Sequence, residues 1–273
     1  MRRFFRLEDG LDGIIKEAFE NETVLSSRQI VTGWTNIVIE VETDSGEYFF
    51  RFPRNDFWAK MIVKDQKFCR FIEGKTSFYT PSMRLLYDGK RPFSVHKKIK
   101  GYSLADRIYN LSHTAVAGAA HDIGKFIKEL SAVDVASAPE EVKVPLSDFL
   151  EELSLKHFDN HIVEDHKYIK DSEEKPCFVH GDLNLGNVLL DENDKVTGVI
   201  DFCFAGVSNV NMDVARIVNR PTPEPFEETL VKAAGTENPD QVRKMREIWK
   251  RIDAGYVGHM KKKFPEITLP EEM

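Results

Sequence analysis

Two periods of apolar residues divide the chain. Leu7, Leu11, Ile14, Ile15 and Phe19 recur at helical spacing and predict a helix over 7–19. Beyond it the alternation is that of strands. Three runs, Arg28–Val31, Asn36–Val41 and Glu47–Phe52, are separated by Thr32-Gly33-Trp34-Thr35 and by the turn signal Asp44-Ser45-Gly46, and read as an antiparallel meander. Trp58–Ile72 returns to helical spacing, with Trp58, Met61, Ile62, Phe68, Phe71 and Ile72 on one face. Pro81, Asp88-Gly89 and Pro92 then punctuate two further strands, Met83–Tyr87 and Phe93–Ile99.

From Ser103 the pattern is helical. Leu104–Leu111 predicts a short helix, and Ala115–Val133 a longer one with Val116, Ala120, Ile123, Phe126, Ile127 and Leu130 inward. Leu146–Ile169 is a further amphipathic region. The change of period places a boundary near Lys97–Gly101, dividing the chain into a β-rich lobe of residues 1–97 and a mainly helical lobe of residues 98–273. Inside the second lobe one stretch reverts to strands. Val188-Leu189-Leu190 and Val196–Ile200, joined by the polar turn Asp191–Lys195, predict a hairpin that folds its two ends together. Phe204–Val210 reads as a loop, Met212–Val218 as a helix start, and Pro221, Pro223 and Pro225 as a rigid connection. Asn238 caps, and Pro239 begins, a long helix to about Lys263.

With 41% hydrophobic and 30% charged residues, the composition is that of a folded globular protein. A formal net charge of -7 argues against a general nucleic-acid binder, which needs a basic surface. The three cysteines, Cys69, Cys177 and Cys203, lack metal-ligand spacing and are too few for a disulfide framework, as in a reducing compartment. The basic start, Met1 to Arg6, turns acidic before any long apolar run, so neither a signal peptide nor a membrane span is expected, and a cytoplasmic location is.

The hairpin is flanked by chemistry-bearing residues. His180-Gly181-Asp182 follows the apolar run Cys177-Phe178-Val179, Asn187 comes five positions after Asp182, and Asp201 ends the returning strand. That spacing fits phosphoryl transfer: in a kinase catalytic loop an Asp accepts the proton of the attacking hydroxyl, an Asn five positions on binds magnesium, and a second Asp at the end of a following strand binds the metals bridging the phosphates. Among competing patterns, His157 and His161 have the i,i+4 spacing of a zinc pair but no Glu between them in the HExxH order; a solvated polar face accounts for them. Asp191-Glu192-Asn193-Asp194 lacks the sixth-position Gly and twelfth-position acid of a calcium loop, and reads as a polar turn.

His180-Gly181-Asp182, Asn187 and Ile200-Asp201-Phe202 together resemble the signature of the aminoglycoside phosphotransferase and choline kinase-like small-molecule kinases, relatives in fold of the protein kinases. Gly181 and Cys203 stand where protein kinases carry Arg and Gly, and both departures point to the small-molecule branch. The resemblance implies an α+β, two-lobed protein kinase-like fold with an antiparallel sheet in the N-lobe and a mainly helical C-lobe. It also implies ATP or GTP with Mg2+ bound between them. By the same likeness, Asp182 is the catalytic base, Asn187 and Asp201 are the metal ligands, and His180 and Asp213, the latter in Asp213-Val214-Ala215, support the loop.

The nucleotide contacts implied are Arg51, in the place of the strand Lys that holds the α- and β-phosphates, the loop around Gly33, and backbone groups near Lys97 and Ile99 at the hinge. Arg54 competes with Arg51 for its role. Gly33 is a lone glycine where kinases are Gly-rich, so a plain hairpin turn explains that loop equally well. Asp65 lies where a kinase helix supplies the acid that pairs with the strand base, and a solvated helix carboxylate is the other reading.

The acceptor implied is a small hydroxyl compound bearing an amino group, aminoglycoside-like. Asp148, Glu151, Glu152, Glu227 and Glu228 are candidates for its pocket or, equally, for solvated helix faces. Choline, homoserine and other metabolites are alternative acceptors. A nucleotide-binding pseudokinase and a magnesium-dependent phosphate hydrolase are alternative functions.

Overall fold

The computed structural model describes residues 5–6, 10–19, 21–30, 35–157, 163–172, 175–236 and 238–263. They fall into two compact units. One takes its described residues from 1–70, 81–99 and 260–273, the other from 71–80 and 100–259.

In the first unit, helix α1 (Leu11–Ala18) precedes strands β1 (Val24–Ile30), β2 (Asn36–Thr43) and β3 (Gly46–Pro53), followed by α2 (Asp56–Ile72), β4 (Met83–Asp88) and β5 (Arg91–Lys97). The strands form one antiparallel sheet of five in the order β1-β2-β3-β5-β4. Alternation along β3 assigns the two faces. Phe50 and Phe52 are fully buried and stack with Phe93 of β5, with ring centroids 5.1 to 6.3 Å apart, while Ile37, Ile39, Val41 and Val95 extend that face. Phe5, Leu11, Ile15 and Phe19 cover it. Each such aromatic ring contributes roughly 2–3 kcal/mol by leaving water. Arg51, between the two phenylalanines, projects from the opposite face, in register with Val38 of β2 and Ser94 of β5.

In the second unit, residues 71–80 are followed by β6 (Tyr102–Ser103) and α3 (Leu104–Arg107), then α4 (His113–Ser131), α5 (Leu146–His157) and α6 (Val163–Asp171). Strand β7 (Cys177–Val179) leads into the segment holding Asp182. It is followed by β8 (Val188–Leu190), β9 (Val196–Val199), β10 (Gly206–Ser208), α7 (Asn211–Ile217), α8 (Phe226–Ala234) and α9 (Pro239–Lys263). Ser112 caps α4 by accepting from Ala115 N at 3.1 Å, and Asn238 caps α9 by accepting from Gln241 N at 3.0 Å. The predicted hairpin forms as β8–β9, with Val188 opposite Val199 and β6 added along β8.

The structure departs from the sequence reading at four places. Strand β1 starts at Val24, four residues early, because its polar Ser26 and Ser27 lie on an exposed edge where no burial pattern develops. The expected loop over 204–210 contains β10, which at three residues is too short to show alternation and is defined by pairing with β7. Helix α8 follows the proline-rich connection unannounced, though Phe226, Leu230 and Ala234 bury one face at four-residue spacing. The region 146–169 is divided between α5 and α6, with 158–162, and so His161, outside the described residues. No helix among the described residues is long and apolar enough to cross a membrane.

Candidate active site

In the second unit the hairpin determines where the acids sit. Pairing of β8 with β9 ends with Ile200 N donating to Asn187 O at 2.9 Å, which sets Asp201 beside Asn187 although fourteen positions separate them in sequence. Asp201 takes a left-handed backbone (φ 67), a conformation costly for a residue with a side chain and concentrated at functional sites. Asn187 also reaches back: its Nδ2 donates to Asp182 O at 2.9 Å, joined there by Asn184 Nδ2 at 3.2 Å. Asp182, Asn187 and Asp201 are thus gathered at one end of one hairpin, and the field of Asp201 reaches the Asp182 carboxylate.

The loop before Asp182 is held from behind. Asp213, buried at the start of α7, accepts His180 N at 2.7 Å on Oδ2 and Gly181 N at 2.9 Å on Oδ1. His180 is fully buried; its Nδ1 accepts from Asp182 N at 3.3 Å and its Nε2 faces Ile200 O at 3.0 Å. Those partners require the neutral imidazole with its proton on Nε2. Burial favours the same state by holding the pKa below its ordinary value, against the pull of Asp213 and Asp201. Both ring nitrogens being committed to backbone, His180 ties the Asp182 loop to the end of β9. Gly181 has φ +77, and a Cβ there would lie 2.3 Å from Phe204 O, so neither conformation nor space admits a side chain.

Asp182 itself is partly accessible, 19% of its side chain. Burial raises its carboxyl pKa, Arg216 opposes that shift, and Asp201 and Asp253 add to it. Arg216 Nε donates to Asp182 Oδ1 at 2.7 Å and Arg216 Nη1 to Asp253 Oδ2 at 2.7 Å. Arg216 and Asp253 were not singled out from the sequence. The only local signal is that Arg216 follows Asp213 by three positions on one helix; its partners lie 34 and 37 residues away.

In the first unit Arg51 Nη1 donates to Asp65 Oδ2 at 2.6 Å, so the pair left open by the sequence does form. Asp65 is fully buried on α2, where even a short acid reaches the strand. Lys97 ends β5 opposite Tyr48, and the next amide, Lys98 N, is used by Glu47 O at 2.8 Å. Ile99 follows as the last residue of that unit's second segment. Gly33 lies outside the described residues.

No group of three or more His, Cys, Asp or Glu side chains gathers to hold a metal ion among the described residues. Asn187 and Asp201 form a smaller set. Asn187 Nδ2 being bonded to Asp182 O, its Oδ1 remains without a hydrogen bond from any described residue. One amide oxygen and one carboxylate suit magnesium, which keeps waters and takes its other ligands from phosphates.

A family model, "Phosphotransferase enzyme family", matches residues 26–247. The chain belongs to that family. Solved structures of other phosphotransferases have the same fold at low identity. One is a GDP and kanamycin complex of APH(2")-IIia, with TM-score 0.73 and 20% identity over 94% of this chain and 93% of that one. A streptomycin–ATP complex of APH(2")-IIa gives 0.66 and 20% over 93% and 90%. Macrolide 2'-phosphotransferase MphH from Brachybacterium faecium gives 0.65 and 15% over 96% and 100%. This phosphotransferase therefore has the α+β kinase-like fold, with an antiparallel sheet in its N-terminal region and helices dominating its C-terminal region.

Proposed function

We propose that the protein is a small-molecule kinase that moves the γ-phosphate of ATP or GTP to a hydroxyl of a small acceptor, with Asp182 as base. In this reading the acceptor oxygen bonds to the γ-phosphorus as the bond to the β–γ bridging oxygen breaks. Asp182 takes the hydroxyl proton, and the nucleoside diphosphate leaves. Asn187 and Asp201 would hold Mg2+, which supplies charge neutralisation at the phosphates when bound. Arg51, oriented by Asp65, is assigned to the α- and β-phosphates, which suit its planar guanidinium. Lys97, Ile99 and the Gly33 loop are assigned to the rest of the nucleotide, and residues 1–97 to the nucleotide-binding lobe. His180 and Asp213 hold the loop.

The observation that carries this reading is the meeting of Asp182, Asn187 and Asp201 at one end of the β8–β9 hairpin. The acceptor proposed is an amino-bearing hydroxyl compound, supported by the kanamycin and streptomycin complexes of similar fold. The test is an acceptor screen read by ADP or GDP release, covering amino sugars, choline, ethanolamine and amino acids. Acceptor-dependent release that falls by about 10²–10⁴-fold in Asp182→Ala is expected. Release of phosphate from esters without any nucleotide would replace this reading by a hydrolase.

A further inference from the structure

The Asp182 carboxylate is anchored asymmetrically. Arg216 bonds only Oδ1 of Asp182, through Nε, and gives Nη1 to Asp253. A guanidinium can instead bind both oxygens of one carboxylate with two parallel N–H groups. The same chain has such a pair: Arg251 donates Nε to Asp165 Oδ2 at 2.8 Å and Nη2 to Asp165 Oδ1 at 2.6 Å. Arg216 divides its donors between two acids, and Asp182 Oδ2 accepts no hydrogen bond from any described residue.

Arg216 is itself fixed from several sides. Only 13% of its side chain is accessible, and its guanidinium carbon lies 4.8 Å from the Trp249 ring centroid. Trp249 is buried and pinned by Nε1 donating to Met212 O at 3.1 Å. Asp253 Oδ2 also accepts Asn219 Nδ2 at 2.8 Å. A continuous set of contacts therefore runs from α9 through Arg216 to one oxygen of Asp182, and the unbonded oxygen is the one left to meet a ligand.

We propose that Arg216 is a positioning residue for the transfer: by anchoring Oδ1 of Asp182 it aims Oδ2 at the acceptor hydroxyl, and Asp253 and Trp249 hold Arg216 for that task. This rests on Asp182 being the base, as proposed above. A displacement of about 1 Å at a reacting group costs on the order of 10²-fold in rate, so the effect belongs in kcat.

The experiment compares Arg216→Ala, Arg216→Lys and Asp253→Asn with the wild-type protein, each with and without guanidinium at sub-denaturing concentration, and determines crystal structures of wild type and Arg216→Ala. Arg216→Ala is expected to lose about 10²-fold in kcat with the nucleotide KM nearly unchanged, and added guanidinium to recover part of it. Arg216→Lys, with one charge but no divided fork, should lie between, and Asp253→Asn should show a smaller loss in the same direction. The Asp182 side chain should rotate in Arg216→Ala and return when guanidinium occupies the gap. An unmoved Asp182 carboxylate in Arg216→Ala, or a nucleotide KM that rises as steeply as kcat falls, would overturn the proposal. The crystallographic arm separates it from the functional reading. A rotated carboxylate in a protein that phosphorylates no acceptor would sink the kinase assignment and leave the anchoring role standing.

Discussion

Replacing Gly181 by alanine tests why the Asp182 loop can exist in this chain. The backbone there has φ +77, which costs an L-residue about 1–2 kcal/mol. The new Cβ would also lie 2.3 Å from Phe204 O and 2.8 Å from Phe204 C, both backbone atoms. An unstrained carbon–oxygen contact is about 3.3 Å, so loop and Phe204 segment must separate by about 1 Å. Forcing packed backbone apart adds about 1–3 kcal/mol, for roughly 2–5 kcal/mol in all. Gly235 supplies the control: it has φ +71 and open space within 4 Å of where a Cβ would stand, so Gly235→Ala carries the conformational cost alone. Thermal unfolding followed by circular dichroism should show Gly181→Ala below Gly235→Ala by several degrees, at roughly 2–4 °C per kcal/mol. Because the displaced loop carries Asp182, turnover in Gly181→Ala should also fall by about 10²-fold, while Gly235→Ala keeps it. Equal melting temperatures in the two variants, with full turnover in Gly181→Ala, would refute the steric reasoning.

Three further outcomes are expected. Asp65→Ala leaves Arg51, 12% exposed, without its buried acid and should cost about 3–5 kcal/mol in urea unfolding, whereas Arg51→Met with Asp65→Leu should recover most of that stability; an Asp65→Ala midpoint equal to wild type would contradict the buried pair. Asp213→Asn exchanges a carboxylate that accepts two backbone N–H groups for an amide with one acceptor, and should cost about 1–3 kcal/mol with a matching loss of turnover; an unchanged unfolding midpoint would contradict it. Buried, neutral His180 has its pKa held below the ordinary 6.5, so below pH 6.5 the unfolded chain binds a proton that the folded protein excludes. Stability is therefore complete above that pH and declines as pH falls, by at most about 1.4 kcal/mol per unit from this group. Unfolding at pH 7.5 and 5.5 should show a flatter dependence in His180→Gln, and parallel curves would remove the assignment.

What could be read from the chain was whatever depends on local pattern. The hairpin was legible because two short, largely apolar runs, Val188–Leu190 and Val196–Ile200, flank a polar turn, and its closure places Asp201 beside Asn187. The helix cap at Asn238 was equally local. Gly181 was visible only as a departure from the protein-kinase loop; its necessity lies in Phe204, 23 positions on, which packs against it. The Arg51–Asp65 bond stayed open because side-chain reach depends on how closely helix and strand approach, which periodicity does not report. Arg216 lay further from view. It is one charge on a short helix, and its meaning comes from two acids brought to it by chain segments 34 and 37 residues away.

The central claim is that Asp182 receives a proton while phosphate moves to a hydroxyl. The most direct measurement follows labelled γ-phosphate from ATP or GTP onto an acceptor, alongside nucleotide affinity, in wild type and Asp182→Ala. Transfer slowed by about 10²–10⁴-fold in the variant, with nucleotide affinity kept, is the predicted result. Near-normal transfer by Asp182→Ala would contradict it.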